Sequence, residues 1–313
     1  MVVRPIPPFR LDLTVWALRR RSRNVIDRWD GTCYRRAILL GVTPTELAVR
    51  QTGSIGAPTL LVTATPTPRT ALDRRRVRCL VGRLLGPGID LTDWYRTASA
   101  DAQLGRLAAM FEGMKPPRFP SVFEAVVNAF ACQQLSLEVG LELLNRLAAL
   151  CGGRVGTGSD VRYAFPTAED IARVSPEECR AIGFSRQKAL ALVSLARAIE
   201  QGELDLEALA EQDDEAMIRQ RLLEVHGIGR WTAEYVLLRG LGRLDVFPGD
   251  DVGAQKALAR WLGRSRRPDY AGVGRAVKQS SPFAGLVYFH LLLDGLSRAR
   301  RLEPTNSSSV RVD

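Results

Sequence analysis

The sequence predicts an α+β chain in two parts, a small antiparallel sheet with helices over residues 1–95 and an all-helical body over residues 96–302. Three observations carry this reading. The first hundred or so residues break into short runs rich in β-branched or alternating apolar residues, set apart by Gly, Pro, Asp and Thr. After Pro87, apolar residues recur at helical spacing almost without interruption. At 313 residues and 46% hydrophobic content, the chain can bury a core in each part.

In the first part, FRLDLTVWALR, TCYRRAILLG, TELAVRQTG and PTLLVTATP read as strands of one antiparallel sheet. Arg69–Leu85 then reads as a helix with Leu72, Val77, Leu80, Val81 and Leu84 on one face. In the second part the spacing predicts helices over Ala98–Glu112, Ser121–Cys132, Leu137–Cys151, Ala168–Val174, Pro176–Ile182, Ser185–Gln201, Asp214–Val225, Arg230–Leu238, Val252–Leu262 and Ala284–Arg300. The polar, serine-rich segment Glu303–Asp313 is expected to be a disordered tail.

The net charge of +10 and pI of about 9.9 suit a protein that meets a polyanion. Basic runs stand at Arg19–Arg21, Arg74–Arg76, Arg264–Arg267 and Arg298–Arg301, and each also suits a solvated face. Five scattered cysteines suggest neither a disulfide framework nor a zinc ribbon, and two histidines, His226 and His290, exclude a histidine-rich metal centre. With no apolar run of about 18 residues and no amino-terminal signal pattern, the expectation is a cytoplasmic protein with no membrane partner.

The stretch Leu222–Asp251, LLEVHGIGRWTAEYVLLRGLGRLDVFPGDD, is the most informative. Gly227 and Gly229 bracket Ile228 in a turn between two helical runs, since glycine tolerates positive φ and admits a close backbone neighbour. Ile228 is expected to pack the turn against the helices. The helix starting at Arg230 presents unpaired amides at its positive end, a seat for phosphate. An aspartate pair, Asp250 and Asp251, follows Phe247-Pro248-Gly249 and precedes another helical run, where one of them can serve as N-cap.

This segment, with Pro116-Pro117-Arg118-Phe119-Pro120, FEAVVNAFACQQLS and AFPTAEDIARVSPEECRAIGFSRQKALALVSLARAIEQGEL upstream, resembles the helix-hairpin-helix DNA glycosylase superfamily, and within it the 3-methyladenine DNA glycosylase II (AlkA-type) group. The resemblance covers nearly the whole chain, most firmly from about Leu104 to about Leu293. It implies a TBP-like sheet domain followed by a helix-hairpin-helix glycosylase body, double-stranded DNA with damaged bases as partner, nucleoid association and a monomeric state. It also implies Asp251 as the catalytic carboxylate, with Asp250 its non-catalytic neighbour. Trp231, Tyr235, Val252 and Leu292 would wall the base pocket. Gly227, Ile228, Gly229, Arg230 and Thr232, together with Gln133 and Gln134, would contact DNA, with Gln134 as the wedge. The main-chain carbonyls of Leu223, Val225 and Ile228 would hold a monovalent cation, Na⁺ or K⁺. No other cofactor is expected: the four-cysteine loop of the iron–sulfur branch is missing after Leu293.

The chemistry gives these residues reasons. Breaking an N-glycosidic bond builds positive charge on the sugar, which a fixed carboxylate stabilises while orienting or deprotonating the attacking water. A cationic alkylpurine leaves readily, so one carboxylate suffices where glycoside hydrolysis uses two. Trp231 stands where the resemblance's bifunctional branch carries a lysine, and an indole forms no Schiff base. It can stack on a cationic base instead. Val252 and Leu292 replace aromatics of the AlkA-type pattern, which leaves the lesion open. Three readings compete: an alkylbase glycosylase that leaves an abasic site without cutting the strand, a glycosylase for oxidised or deaminated purines of the 8-oxoguanine type, and a catalytically silent DNA-binding protein.

Overall fold

The computed structural model describes residues 1–302, apart from the side chain of Ser159; the expected tail over 303–313 lies outside the described residues. In chain order the elements are β1 (Val2–Val3), α1 (Leu11–Arg19), β2 (Arg28–Trp29), β3 (Cys33–Leu40), β4 (Thr43–Thr52), β5 (Thr59–Thr65), α2 (Ala71–Leu85), α3 (Thr92–Ser99), α4 (Ala102–Met110), α5 (Val122–Cys132) and α6 (Leu137–Cys151). A small ribbon follows, β6 (Arg154–Val155) and β7 (Arg162–Tyr163), and then α7 (Ala168–Ala172), α8 (Pro176–Ala181), α9 (Arg186–Glu200), α10 (Glu215–Glu224), α11 (Arg230–Val236), α12 (Val252–Trp261), α13 (Tyr270–Val277) and α14 (Ala284–Arg298).

The amino-terminal strands form one antiparallel sheet in the order β1-β5-β4-β3-β2. β3 and β4 pair from Cys33 with Arg50 to Leu40 with Thr43, which leaves a two-residue connection, Gly41-Val42, whose glycine is left-handed at φ 65°. Tyr34, Leu47, Val49, Leu60 and Val62 from the sheet meet Val77, Val81 and Leu84 of α2 in one core. Leu72, expected on that face, is exposed because it lies in the first turn of α2, beyond the sheet.

The run FRLDLTVWALR is not a strand. It folds as α1, buried on both sides: Leu11, Val15 and Leu18 face the sheet, while Leu13, Trp16 and Ala17 face a second core that includes Trp94 and Phe289. A helix apolar all round has no single period, and Leu11, Leu13 and Val15 alternate as a strand would. The predicted helix over Ala98–Glu112 is cut at Asp101, whose carboxylate caps the amides of Gln103 and Leu104 and so starts α4 afresh. α3 and α13 were not foreseen; α13 carries Gly272 and Gly274 within eight residues, which weakens its helical signature.

The sheet part and helical body meet through buried polar groups. Arg36 of β3 donates to Asp27 at 2.7 Å and to both oxygens of Glu124 on α5 at 2.6 Å, and the Tyr34 hydroxyl donates to Asp27 at 2.8 Å. Two carboxylates thus share one guanidinium away from water, and burial pushes Glu124 up to about 7. No helix among the described residues is long and apolar enough to cross a membrane.

Candidate active site

The glycine turn joins α10 to α11 with Ile228 only 6% exposed, anchored in the core of α5, α6 and α9. The two glycines have different reasons. Gly227 is left-handed at φ 88°, and a Cβ there would press on Ala191 and Phe130 at 3.2 and 3.3 Å. Gly229 has φ −97°, within reach of any residue, and a Cβ there would meet nothing. Its smallness leaves open space on the outer surface, directly at the start of α11, where no side chain caps the first amides.

Asp251 is the N-cap of α12, its Oδ1 accepting from the Ala254 amide at 2.8 Å. Its Oδ2 accepts from the Trp231 indole at 3.3 Å and from the Tyr288 hydroxyl of α14 at 3.1 Å. Both oxygens are therefore aimed by donors from three helices. Burial and the Asp251 charge push the Tyr288 phenol well above its usual range, so it remains a donor. The loop before Asp251 is fastened from both sides: Gly249 donates its amide to Glu234 of α11 at 2.9 Å and accepts from Gln255 of α12 at 2.8 Å. Glu234 also accepts from Tyr270 at 2.6 Å and Arg219 at 3.1 Å.

These groups border a cleft of about 1240 Å³. Trp231 and Tyr235 stack at 5.3 Å between centroids and a 31° tilt, with Trp231 half-buried and Tyr235 beneath it. The far side comes from the amino-terminal part. Arg20, left-handed at φ 63° and only 5% exposed, donates to the Tyr235 hydroxyl and to Asn128 of α5, each at 2.8 Å. Below it, Arg239 donates to the carbonyls of Ala17 and Leu18 at the end of α1 and lies against Phe119, Tyr235 and Phe289. A π-helical turn over Leu237–Leu241 carries Arg239 inward.

The loop Gln133–Ser136 forms the cleft's edge. Gln133 donates through Nε2 to the Gly227 carbonyl and the Thr232 hydroxyl, both at 2.9 Å, so it ties this loop to the hairpin. Lys188 of α9 donates to the Gln133 carbonyl at 2.5 Å and the Ala131 carbonyl at 3.4 Å, holding the carboxyl end of α5. Gln134 is exposed and left-handed at φ 55°, pinned between these ties.

The expected residues thus border one cleft except Ile228, which is buried beneath the turn, and Leu223 and Val225, which lie away from it, and there are further corrections. Thr232 is only 1% exposed and its hydroxyl is engaged by Gln133, so its side chain is not presented at the surface. Gln133 likewise turns inward. Arg230 holds Asp250 in a bidentate pair at 2.6 and 3.0 Å and stacks on Tyr270 at 3.9 Å, which explains the aspartate pair: Asp251 caps α12 and faces the cleft, while Asp250 ties the loop to the start of α11. Tyr235 underlies Trp231 more than it walls the cleft. Val252 is 47% exposed at the rim, and Leu292 is half-buried on α14. Sequence reasoning missed Arg20, Tyr288, Glu234 and Lys188. Only Tyr288 had a signal, lying one helical turn before Leu292 on the same face.

Residues 127–282 match the family described as HhH-GPD superfamily base excision DNA repair protein. The chain belongs to the HhH-GPD superfamily. It is 31% identical over 179 residues to a DNA-3-methyladenine glycosylase of Bacillus subtilis, covering 57% of this chain and 59% of that protein. It is 36% identical over 148 residues to DNA-3-methyladenine glycosylase 2 of Escherichia coli, covering 47% and 51%. The aligned part therefore spans between half and three-fifths of these relatives. Among solved structures, a 3-methyladenine DNA-glycosylase from Archaeoglobus fulgidus superposes with a TM-score of 0.83 at 26% identity, over 96% of this chain and 98% of that one. The HhH-GPD match includes both the hairpin and Asp251.

Proposed function

We propose that this HhH-GPD protein is a monofunctional DNA glycosylase that flips alkylated, 3-methyladenine-like bases out of duplex DNA and excises them by hydrolysis, leaving an abasic site. It acts as a monomer on damaged double-stranded DNA. The observation that carries this is the Asp251 carboxylate, oriented by Ala254, Trp231 and Tyr288 beside a cleft between the hairpin and the Gln134 loop. The alkylbase names of the Bacillus and Escherichia relatives support the lesion class.

In this reading the turn Gly227-Ile228-Gly229 receives a backbone phosphate over the open face of Gly229, and Gln134 fills the gap left by the flipped nucleotide. The base lies against Trp231, with Val252 and Leu292 at the walls. The N-glycosidic bond breaks with its electron pair passing to the purine, which neutralises a cationic lesion. Asp251 stabilises the sugar cation, and water adds to the sugar carbon while its proton passes to Asp251 or solvent. The carbonyls of Leu223, Val225 and Ile228 lie at the carboxyl end of α10 and in the turn; Val225 accepts from the Ile228 amide at 3.0 Å and keeps a second lone pair. Neutral oxygens at a helix's negative end suit a hard monovalent cation, which these three would hold.

A second reading, excision of deaminated or oxidised purines, is favoured by the aliphatic walls Val252 and Leu292 and the polar floor of Arg20, Tyr235 and Tyr288. The test is a panel of duplexes with single lesions, scored for free-base release and for alkali-dependent nicking. Release of 3-methyladenine with nicking only after alkali is expected. Release confined to hypoxanthine or 8-oxoguanine would replace the lesion class, and nicking without alkali would overturn the monofunctional assignment.

A further inference from the structure

Among the described residues, the non-glycine positions with left-handed backbone are Arg20 (φ 63°), Gln134 (φ 55°) and Arg300 (φ 51°). Such backbone is strained for a residue with a side chain and collects at functional sites. Arg20 and Gln134 line the cleft, and Arg300 directly precedes Arg301, which lines it too.

Arg20 and Arg300 do the same thing on two helices. Arg20 closes α1, its amide donating to the Trp16 carbonyl at 2.9 Å; past Arg300, the Arg301 amide donates back to Leu296 of α14 at 3.0 Å. Helices commonly close this way through glycine, without presenting a side chain. α1 and α14 pack together, so the two turns deliver the following residues, Arg21 and Arg301, to one place. Both face the same oxygen of Glu138, at 3.6 and 3.0 Å. Glu138 is 57% exposed and stands in the first turn of α6, just past the Gln134 loop.

Two guanidiniums sharing one exposed carboxylate leave net positive charge. Burial and the nearby Arg301 both lower Arg21 from its ordinary value; its guanidinium donates to the Arg20 carbonyl at 2.8 Å, while its Nε is enclosed with no hydrogen-bond partner among the described residues. Among the described residues the cluster therefore holds one carboxylate for two guanidiniums. Guanidinium forks match phosphate geometry and bind it in preference to a lone, solvated carboxylate.

We infer that Arg21 and Arg301 form a second phosphate seat at the cleft mouth, apart from the hairpin, which takes a phosphodiester of the strand carrying the flipped nucleotide and for which Glu138 is the placeholder in the DNA-free protein. This rests on the glycosylase reading for the identity of the polyanion.

The test is fluorescence anisotropy with a duplex carrying one tetrahydrofuran abasic analogue, across a KCl titration. Each lost phosphate contact lowers the slope of log affinity against log salt by about 1. Arg301→Gln and Arg21→Gln are each expected to do so, and the double variant by about twice that. Arg301→Lys should keep the slope yet bind more weakly, having lost the fork. Glu138→Gln should tighten binding about threefold at low salt, as an exposed competing charge is removed. Arg301 is surface-exposed, so its variants fold whatever Arg21 contributes. Slopes equal to wild type in both glutamine variants would overturn the seat. Base release is scored in parallel: release by wild type with unchanged slopes removes the seat alone, while reduced slopes without release from any lesion keep the seat and remove the glycosylase reading.

Discussion

The cleft has two walls built on different principles. One is local: the hairpin, Trp231 and Asp251 lie within 25 residues of chain, from Gly227 to Asp251, and their spacing in sequence fixes their spacing in space. The other is assembled: Arg20 from the end of α1, Asn128 from α5 and Tyr288 from α14 meet there only because the sheet part docks on the helical body. In the proposed function the local wall carries the groups that grip DNA and react, and the assembled wall holds them in register. The two should therefore fail differently, the first through activity and the second through stability and pH, except at Tyr288, whose hydroxyl reaches Asp251.

Asp251 itself apart, the largest effect is expected at the docking joint. Glu124, raised by burial to about 7 against an ordinary 4.5, keeps its proton in the folded state after the unfolded chain has lost it. Its contribution is thus complete below about pH 4.5 and is lost as pH rises through about 7, by up to ~3 kcal/mol from linkage. Glu124→Gln should match wild type near pH 5 and be the more stable near pH 8 in urea melts. A variant destabilised equally at both values would show that the carboxylate is ionised in the fold.

On the local wall, Trp231→Ala removes both a donor to Asp251 and the stacking face, and base release should fall by roughly a hundredfold with DNA affinity little changed. Arg20→Met deletes donors to Tyr235 and Asn128 and should cost about 2 kcal/mol of stability, read as a lower urea midpoint. Tyr288→Phe leaves Asp251 its other two donors, so about a tenfold loss in single-turnover rate is expected, with substrate affinity unchanged. The smallest effect is at Gln134. Gln134→Gly relieves its left-handed backbone and should stabilise the fold by about 1 kcal/mol while slowing base release several-fold; unimpaired release would remove it as the wedge.

What the sequence disclosed follows the same division. The hairpin glycines and the aspartate pair were legible because a turn and a capped helix start have local signatures, whereas the choice of Trp231 and of Asp251 over Asp250 came from the family resemblance. Even there the side-chain directions were not: Thr232 and Gln133 spend their polar groups on each other, which depends on α5 ending beside α11. Strands β3, β4 and β5 were readable from alternation, whereas α1, wedged between two cores, carried apolar residues on every face and read as a strand. Arg20 was one arginine in a basic run. Its left-handed turn at the end of α1, which packs against α14, carries it inward to Tyr235 and Asn128.

The central claim is that an oriented carboxylate, with no lysine adduct, drives base excision. Single-turnover release from a 3-methyladenine duplex, run with and without borohydride, compares wild type with Asp251→Asn. The account predicts a loss of roughly a hundred- to a thousandfold in the variant, duplex affinity retained, and no covalent trapping in either protein. Undiminished release in Asp251→Asn, or a borohydride-trapped complex through Lys256, the one lysine that lines the cleft among the described residues, would contradict it.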